Sequence, residues 1–97
     1  MTIEKRRIYL VLNPVSGVLS PDMVWRRFKQ KCEEAGHEVN VYRTTGDENL
    51  KSIVQSAAAQ GYDLFVAAGG DGTVSAVADG LYGTRIPLAI LPVGTWN

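Results

Sequence analysis

Apolar residues fall along the chain in two alternating patterns, short runs of strand length and longer stretches repeating every three to four positions. Residues 8–12, Ile-Tyr-Leu-Val-Leu, form the first run, which Asn13-Pro14 stops. Ser20-Pro21 then reads as an N-cap followed by proline at the first helical position. Trp25, Phe28, Cys32 and Ala35 keep helical spacing until Gly36 closes the segment. Val39 and Val41, with polar residues between them, predict a half-exposed strand ending at Tyr42 or Arg43. Leu50, Ile53, Val54 and Ala57 form the next helical stripe, with Asp47 or Thr45 available to cap it and Gly61 just past its end. The run Asp63 to Ala68 shows no alternation and predicts a strand covered on both faces, as in a parallel sheet. Val74, Val77, Ala78 and Leu81 predict a third helix, and Ile86 to Leu91 a fourth strand. The order βαβαβαβ, with helices of crossover length, predicts an α/β fold: a three-layer α/β/α, Rossmann-like domain with a mostly parallel sheet.

In open parallel sheets ligands bind outside the carboxyl ends of the strands. The glycine-rich and polar segments all fall there: Asn13-Pro14-Val15-Ser16-Gly17, Thr44-Thr45-Gly46, Gly69-Gly70-Asp71-Gly72-Thr73, and Gly94-Thr95-Trp96-Asn97. Glycines let backbone N–H groups face a ligand with no Cβ in the way, and a helix start adds unpaired donors and a positive dipole end. Four such loops on one rim describe a phosphate site. Asp71 would repel phosphate unless a cation stands between, which magnesium can do; it could equally cap the third helix. Thr73 could donate to phosphate or meet only backbone, and Ser16 has the same two readings.

Composition narrows the field. Ninety-seven residues make one small domain, able to bury roughly 60–70% of the surface its unfolded chain exposes. Ten Lys+Arg balance ten Asp+Glu, so no overall field would hold a nucleic acid, and an anion must be bound by local geometry. Glu4-Lys5-Arg6-Arg7 reads as a solvated lead. A lone cysteine, Cys32, builds neither a disulfide framework nor a metal cluster and reads as core packing; His37, the single histidine, has no second ligand to work with. With no signal peptide or spanning segment visible, the compartment expected is cytoplasmic. No glycine precedes a lysine, which excludes a P-loop, and there is no G-x-S-x-G, H-E-x-x-H or C-x-x-C. The stretch from Gly70 approaches the dinucleotide fingerprint but lacks an acidic residue about 20 positions on.

"NPVSG" at 13–17, "GGDGT" at 69–73 and "LPVGTWN" at 91–97 together resemble the nucleotide-binding domain of the diacylglycerol kinase and sphingosine kinase family of lipid kinases. GGDGT alone is shared, or nearly so, with NAD kinases and 6-phosphofructokinases. The resemblance implies ATP and Mg2+ as cofactors and transfer of the ATP γ-phosphate to a lipid hydroxyl. It implies that Asn13, Pro14, Val15, Ser16 and Gly17 line the nucleotide pocket and that Thr44 touches it from the second loop. Gly69, Gly70, Asp71, Gly72 and Thr73 would wrap the phosphates, with Val74 and Ser75 continuing the contact and Thr95 completing the rim. Asp71 would reach the metal indirectly, through water.

The family also carries a second, β-rich domain with lipid-binding surface and much of the catalytic machinery. Because the chain stops at Asn97, where a further helix is due, the expectation is a piece of a longer protein, inactive alone, with its general base in that second domain. The full-length protein would then meet its lipid by transient peripheral membrane contact, and exposed surface leaves a homodimer open. One departure stands out: family members commonly follow GGDGT with one residue and then Asn-Glu, where this chain has Ser75-Ala76 after Val74. That puts in doubt a nucleotide contact at position 76 and weakens an NAD-kinase-like reading. The alternatives carried forward are an NAD-kinase-like or phosphofructokinase-like phosphotransferase and a non-catalytic nucleotide-binding module.

Overall fold

The computed structural model describes residues 4–14 and 21–91, with side chains in the first helix from residue 24. Seven elements follow in the order β1 (Arg7–Leu12), α1 (Pro21–Glu34), β2 (Glu38–Arg43), α2 (Leu50–Ala58), β3 (Leu64–Ala68), α3 (Asp71–Leu81) and β4 (Leu88–Leu91). All strand pairs are parallel, and the sheet order is β2-β1-β3-β4. Parallel neighbours cannot be joined by a hairpin, so each connection crosses over through a helix.

Alternation along the strands decides which helix covers which face. Ile8, Leu10, Leu12, Val66 and Ala68 point to one side and meet Trp25 of α1, with Phe28 and Cys32 packed beside them. Val11, Phe65 and Ala67 point to the other and meet Val54 and Ala57 of α2 and Val77 and Leu81 of α3. The central strands β1 and β3 are therefore covered on both faces, which is why residues 65–68 read as an unbroken apolar run. Burial, and then the charge of Glu33, pushes the Cys32 thiol up, as expected of a packing cysteine.

Several boundaries and faces differ from the sequence reading. Neither Asp47 nor Thr45 caps α2: the Asn49 side chain accepts from the Ser52 N–H at 3.1 Å. The strand expected from Ile86 begins at Leu88, after Pro87, which has no N–H to give the ladder. On α1 Ala35 is exposed and already past the last helical residue, and Gly36 turns the chain with φ +94°. On α3 the exposed Ala78 is not part of the inner face, which buries Thr73, Val77, Gly80 and Leu81, with Val74 packed half-buried beside them. Gly80 is there because α2 comes very close: a Cβ on it would lie 2.6 Å from Val54 Cβ and 2.9 Å from the Lys51 carbonyl oxygen.

Candidate nucleotide-binding rim

Leu12, Arg43, Ala68 and Leu91 are in register, so all four strands end at one level. From β1 the chain leaves towards β2 on one side, and from β3 towards β4 on the other. The crevice between the carboxyl ends of β1 and β3 is thus the topological switch point, where open α/β sheets place their ligands. Asn13 and Gly69, the residues just past those two strands, flank it. The Asn13 N–H continues the ladder to the Ala68 carbonyl at 2.9 Å, and the Thr44 N–H does the same to Leu12 at 2.9 Å. Asn13, Thr44 and Gly69 therefore stand side by side on the rim.

Asn13 is held from across the crevice. Its Nδ2 donates to Thr73 Oγ1 at 3.3 Å, and Thr73 is buried in the first turn of α3. Gly69 lies against both side chains: a Cβ there would approach Thr73 Oγ1 to 2.7 Å, Thr73 Cβ to 2.9 Å and Asn13 Cβ to 3.0 Å. The hydroxyl of Thr73 thus meets a side chain rather than only backbone, accepting from Asn13 across the crevice.

Asp71 is not a cap. It is the first residue of α3, with Gly70 at the N-cap position in extended geometry and no side-chain cap bond. The first N–H groups of a helix have no partner within it. At Gly70 and Gly72 a Cβ would meet nothing within 4 Å, so the backbone on that side is open. The Asp71 carboxylate is exposed beside this turn. Among the described residues no group of three His, Cys, Asp or Glu side chains could cage a metal. One exposed carboxylate beside an open helix start fits a magnesium ion of the kind held chiefly by phosphates and water. Val74 follows inside α3, half-buried against the α2/α3 core, and Ser75 is exposed. Val15, Ser16, Gly17 and Thr95 lie outside the described residues.

The loop after β2 carries a feature the sequence reading missed. The Glu48 carboxylate accepts from the Thr45 N–H at 2.7 Å, the Tyr42 hydroxyl at 2.8 Å and the Gly46 N–H at 2.9 Å. Those bonds, the Thr45 amide foremost, hold its pKa at about 2 against an ordinary 4.5. The Thr45 and Gly46 amides that the sequence offered to a ligand are therefore taken by the protein's own carboxylate, and the Thr44 amide by the Leu12 carbonyl. Because the folded value is depressed, the contribution of Glu48 to stability is complete above the unfolded value and fades as pH falls from about 4.5 to about 2. In Glu48→Gln the pH dependence of the urea midpoint should flatten across that window. An unchanged slope would remove the assignment.

His37 sits at the opposite end of the sheet, where its Nδ1 accepts from the Arg6 N–H at 3.1 Å.

A family model for the diacylglycerol kinase catalytic domain matches residues 7–97. The chain belongs to that family. Its relatives include the diacylglycerol kinase of Bacillus subtilis (strain 168), 36% identical over 94 residues, and that of Staphylococcus epidermidis (strain ATCC 12228 / FDA PCI 1200), 35% identical over 95. Those alignments take in 95% and 96% of this chain but 31% and 30% of the relatives. The chain therefore spans about a third of the length of the kinases it matches. A crystal structure of a diacylglycerol kinase from Bacillus anthracis str. Sterne superposes with a TM-score of 0.71 at 26% identity, over 93% of this chain and 34% of that one. A second structure from the same organism gives 0.74 at 28% identity, over 95% and 34%. This diacylglycerol kinase family domain is a three-layer α/β fold, as its periodicity predicts. Among its described residues no helix is long and apolar enough to cross a membrane.

Proposed function

We infer that the chain is the nucleotide-binding part of a diacylglycerol kinase, which places ATP for transfer of its γ-phosphoryl group to a lipid hydroxyl. The observation that carries this reading is the Asn13–Thr73–Gly69 contact across the switch point. It braces the loop after β1 against the helix start after β3, so that a polar side chain and the uncapped end of α3 border one crevice.

Within that reading Asn13, Pro14 and Thr44 border the nucleotide together with Val15, Ser16, Gly17 and Thr95. The turn Gly69 to Thr73, followed by Val74 and Ser75, brings helix-start N–H groups to the phosphates. Magnesium supplies charge neutralisation of the phosphates when bound, with Asp71 ordering its water. Phosphoryl transfer is chiefly positioning and electrostatic stabilisation, which suits a rim of backbone donors. The base and the lipid surface belong, in this proposal, to a second domain, and the 97 residues alone do not phosphorylate lipid.

The test is an amide-shift titration by NMR with ATP, with and without magnesium, on this chain and on a full-length protein that carries it. Expected are saturable shifts at residues 13, 44 and 69–73, larger with magnesium. Absence of rim shifts in the full-length protein at millimolar ATP would overturn the nucleotide assignment, and robust lipid phosphorylation by the chain alone would overturn the division of labour.

A further inference from the structure

A groove of about 420 Å³ lies outside the rim, between α1 and the edge strand β2. Trp25, only 7% exposed, and Val41 form its floor. Two guanidinium groups stack over the same indole ring: Arg26 at 5.0 Å and Arg43 at 5.2 Å from the ring centroid. Their charges are not spent. Among the described residues neither arginine makes an ion pair, whereas the third cation of the groove, Lys29, is paired with Glu33 at 2.7 Å. The groove thus presents two uncompensated positive charges on a shared aromatic support.

That arrangement has a chemical preference. An indole face holds a guanidinium without occupying its N–H groups, which leaves the forked donors of both arginines available to a ligand. Two forks and a net charge of two match a phosphoryl dianion, whose oxygens accept bidentate pairs. A cleft with one sign of charge and low-dielectric walls focuses the field, so the attraction does not depend on the neutral balance of the whole chain. A groove of this volume has room for a small organic body besides the phosphate. We propose that the α1–β2 groove is a binding site for a phosphomonoester dianion, held between Arg26 and Arg43 over Trp25. The site is distinct from the switch-point crevice between β1 and β3: it lies between α1 and β2 and uses none of Asn13, Gly69 or Thr73, although Arg43 ends β2 next to Thr44.

Titration of the protein with inorganic phosphate and with glycerol 3-phosphate, at ionic strength held constant with chloride, tests it. The readouts are the Trp25 indole N–H and the amides of Val41 and Arg43, which separate this groove from residues 69–73. Saturable shifts there are expected, with affinity falling at least tenfold in Arg26→Gln and in Arg43→Gln. Both side chains are exposed, so the variants should keep the amide spectrum of the core. A parallel sedimentation arm compares phosphatidylcholine vesicles with and without phosphatidic acid. Binding only to the phosphatidic acid vesicles, lost in both variants, assigns the phosphomonoester to a lipid headgroup; binding of the soluble esters assigns it to a small metabolite. Shifts that chloride reproduces, shifts confined to the rim, or affinities unchanged in the two variants would overturn the site.

Discussion

Gly69→Ala is expected to abolish detectable ATP binding while leaving a folded domain. The added methyl would stand 2.7 Å from Thr73 Oγ1 and 2.9 Å from Thr73 Cβ, with Asn13 Cβ at 3.0 Å. None of these is the loose end of a long side chain, so relief requires moving α3's first turn or the loop after β1. Either movement separates Asn13 from Thr73 and opens the crevice that both loops border. Overpacking of this kind costs about 1–3 kcal/mol in stability, which should leave the core intact. The check is the ATP titration repeated on the variant, beside its amide spectrum. ATP affinity within twofold of the parent in a variant whose core spectrum is unchanged would show that the brace between the two loops is irrelevant to binding.

Gly80→Ala is expected to destabilise the helix pair itself. In an exposed helix interior this change would gain up to about 1 kcal/mol through helix propensity. Here the methyl would enter a space where Val54 Cβ is 2.6 Å away, Val54 Cγ1 2.7 Å and the Lys51 carbonyl oxygen 2.9 Å. The carbonyl belongs to the backbone of α2 and cannot step aside alone. The two helices must separate over a core that includes the fully buried Val54 and Val77. A net loss of about 1–3 kcal/mol follows, lowering Tm by roughly 5–15 °C in a domain of this size. Val54→Ala in the same chain removes part of the obstruction, so the double variant should be less destabilised than the sum of the two single ones. Additive losses, or a Gly80→Ala protein as stable as the parent, would contradict the packing described.

These two glycines also mark what the sequence could and could not disclose. Strand and helix identities were legible because each apolar period matches the faces an element must bury: alternation at Val39 and Val41 on an edge strand, an unbroken run on doubly covered β3. The grouping of Asn13, Thr44 and Gly69 was legible too, because parallel strands of similar length end together. Gly80 was not legible. A glycine inside a helical stripe looks like a defect until the neighbouring helix is in place, and nothing local distinguishes it from Ala78, which faces solvent. Glu48 escaped for a related reason: its partners Tyr42, Thr45 and Gly46 lie close in sequence, but only the bend of that loop turns two amides onto one carboxylate. The pairing of Thr73 with Asn13 depends on which strands are neighbours, and periodicity does not report strand order.

Sixty residues of chain separate Asn13 from Thr73, yet the two meet only because β1 and β3 are adjacent. No segment shorter than most of the domain can therefore assemble the crevice, and a partly folded chain has nothing there to recognise. A ligand of this crevice selects the native state over every unfolded form, so its concentration sets a stabilisation that grows logarithmically above its dissociation constant. On the nucleotide-binding reading proposed above, nucleotide supply then enters the domain's resistance to proteolysis: depletion of the ligand would shorten the life of the protein.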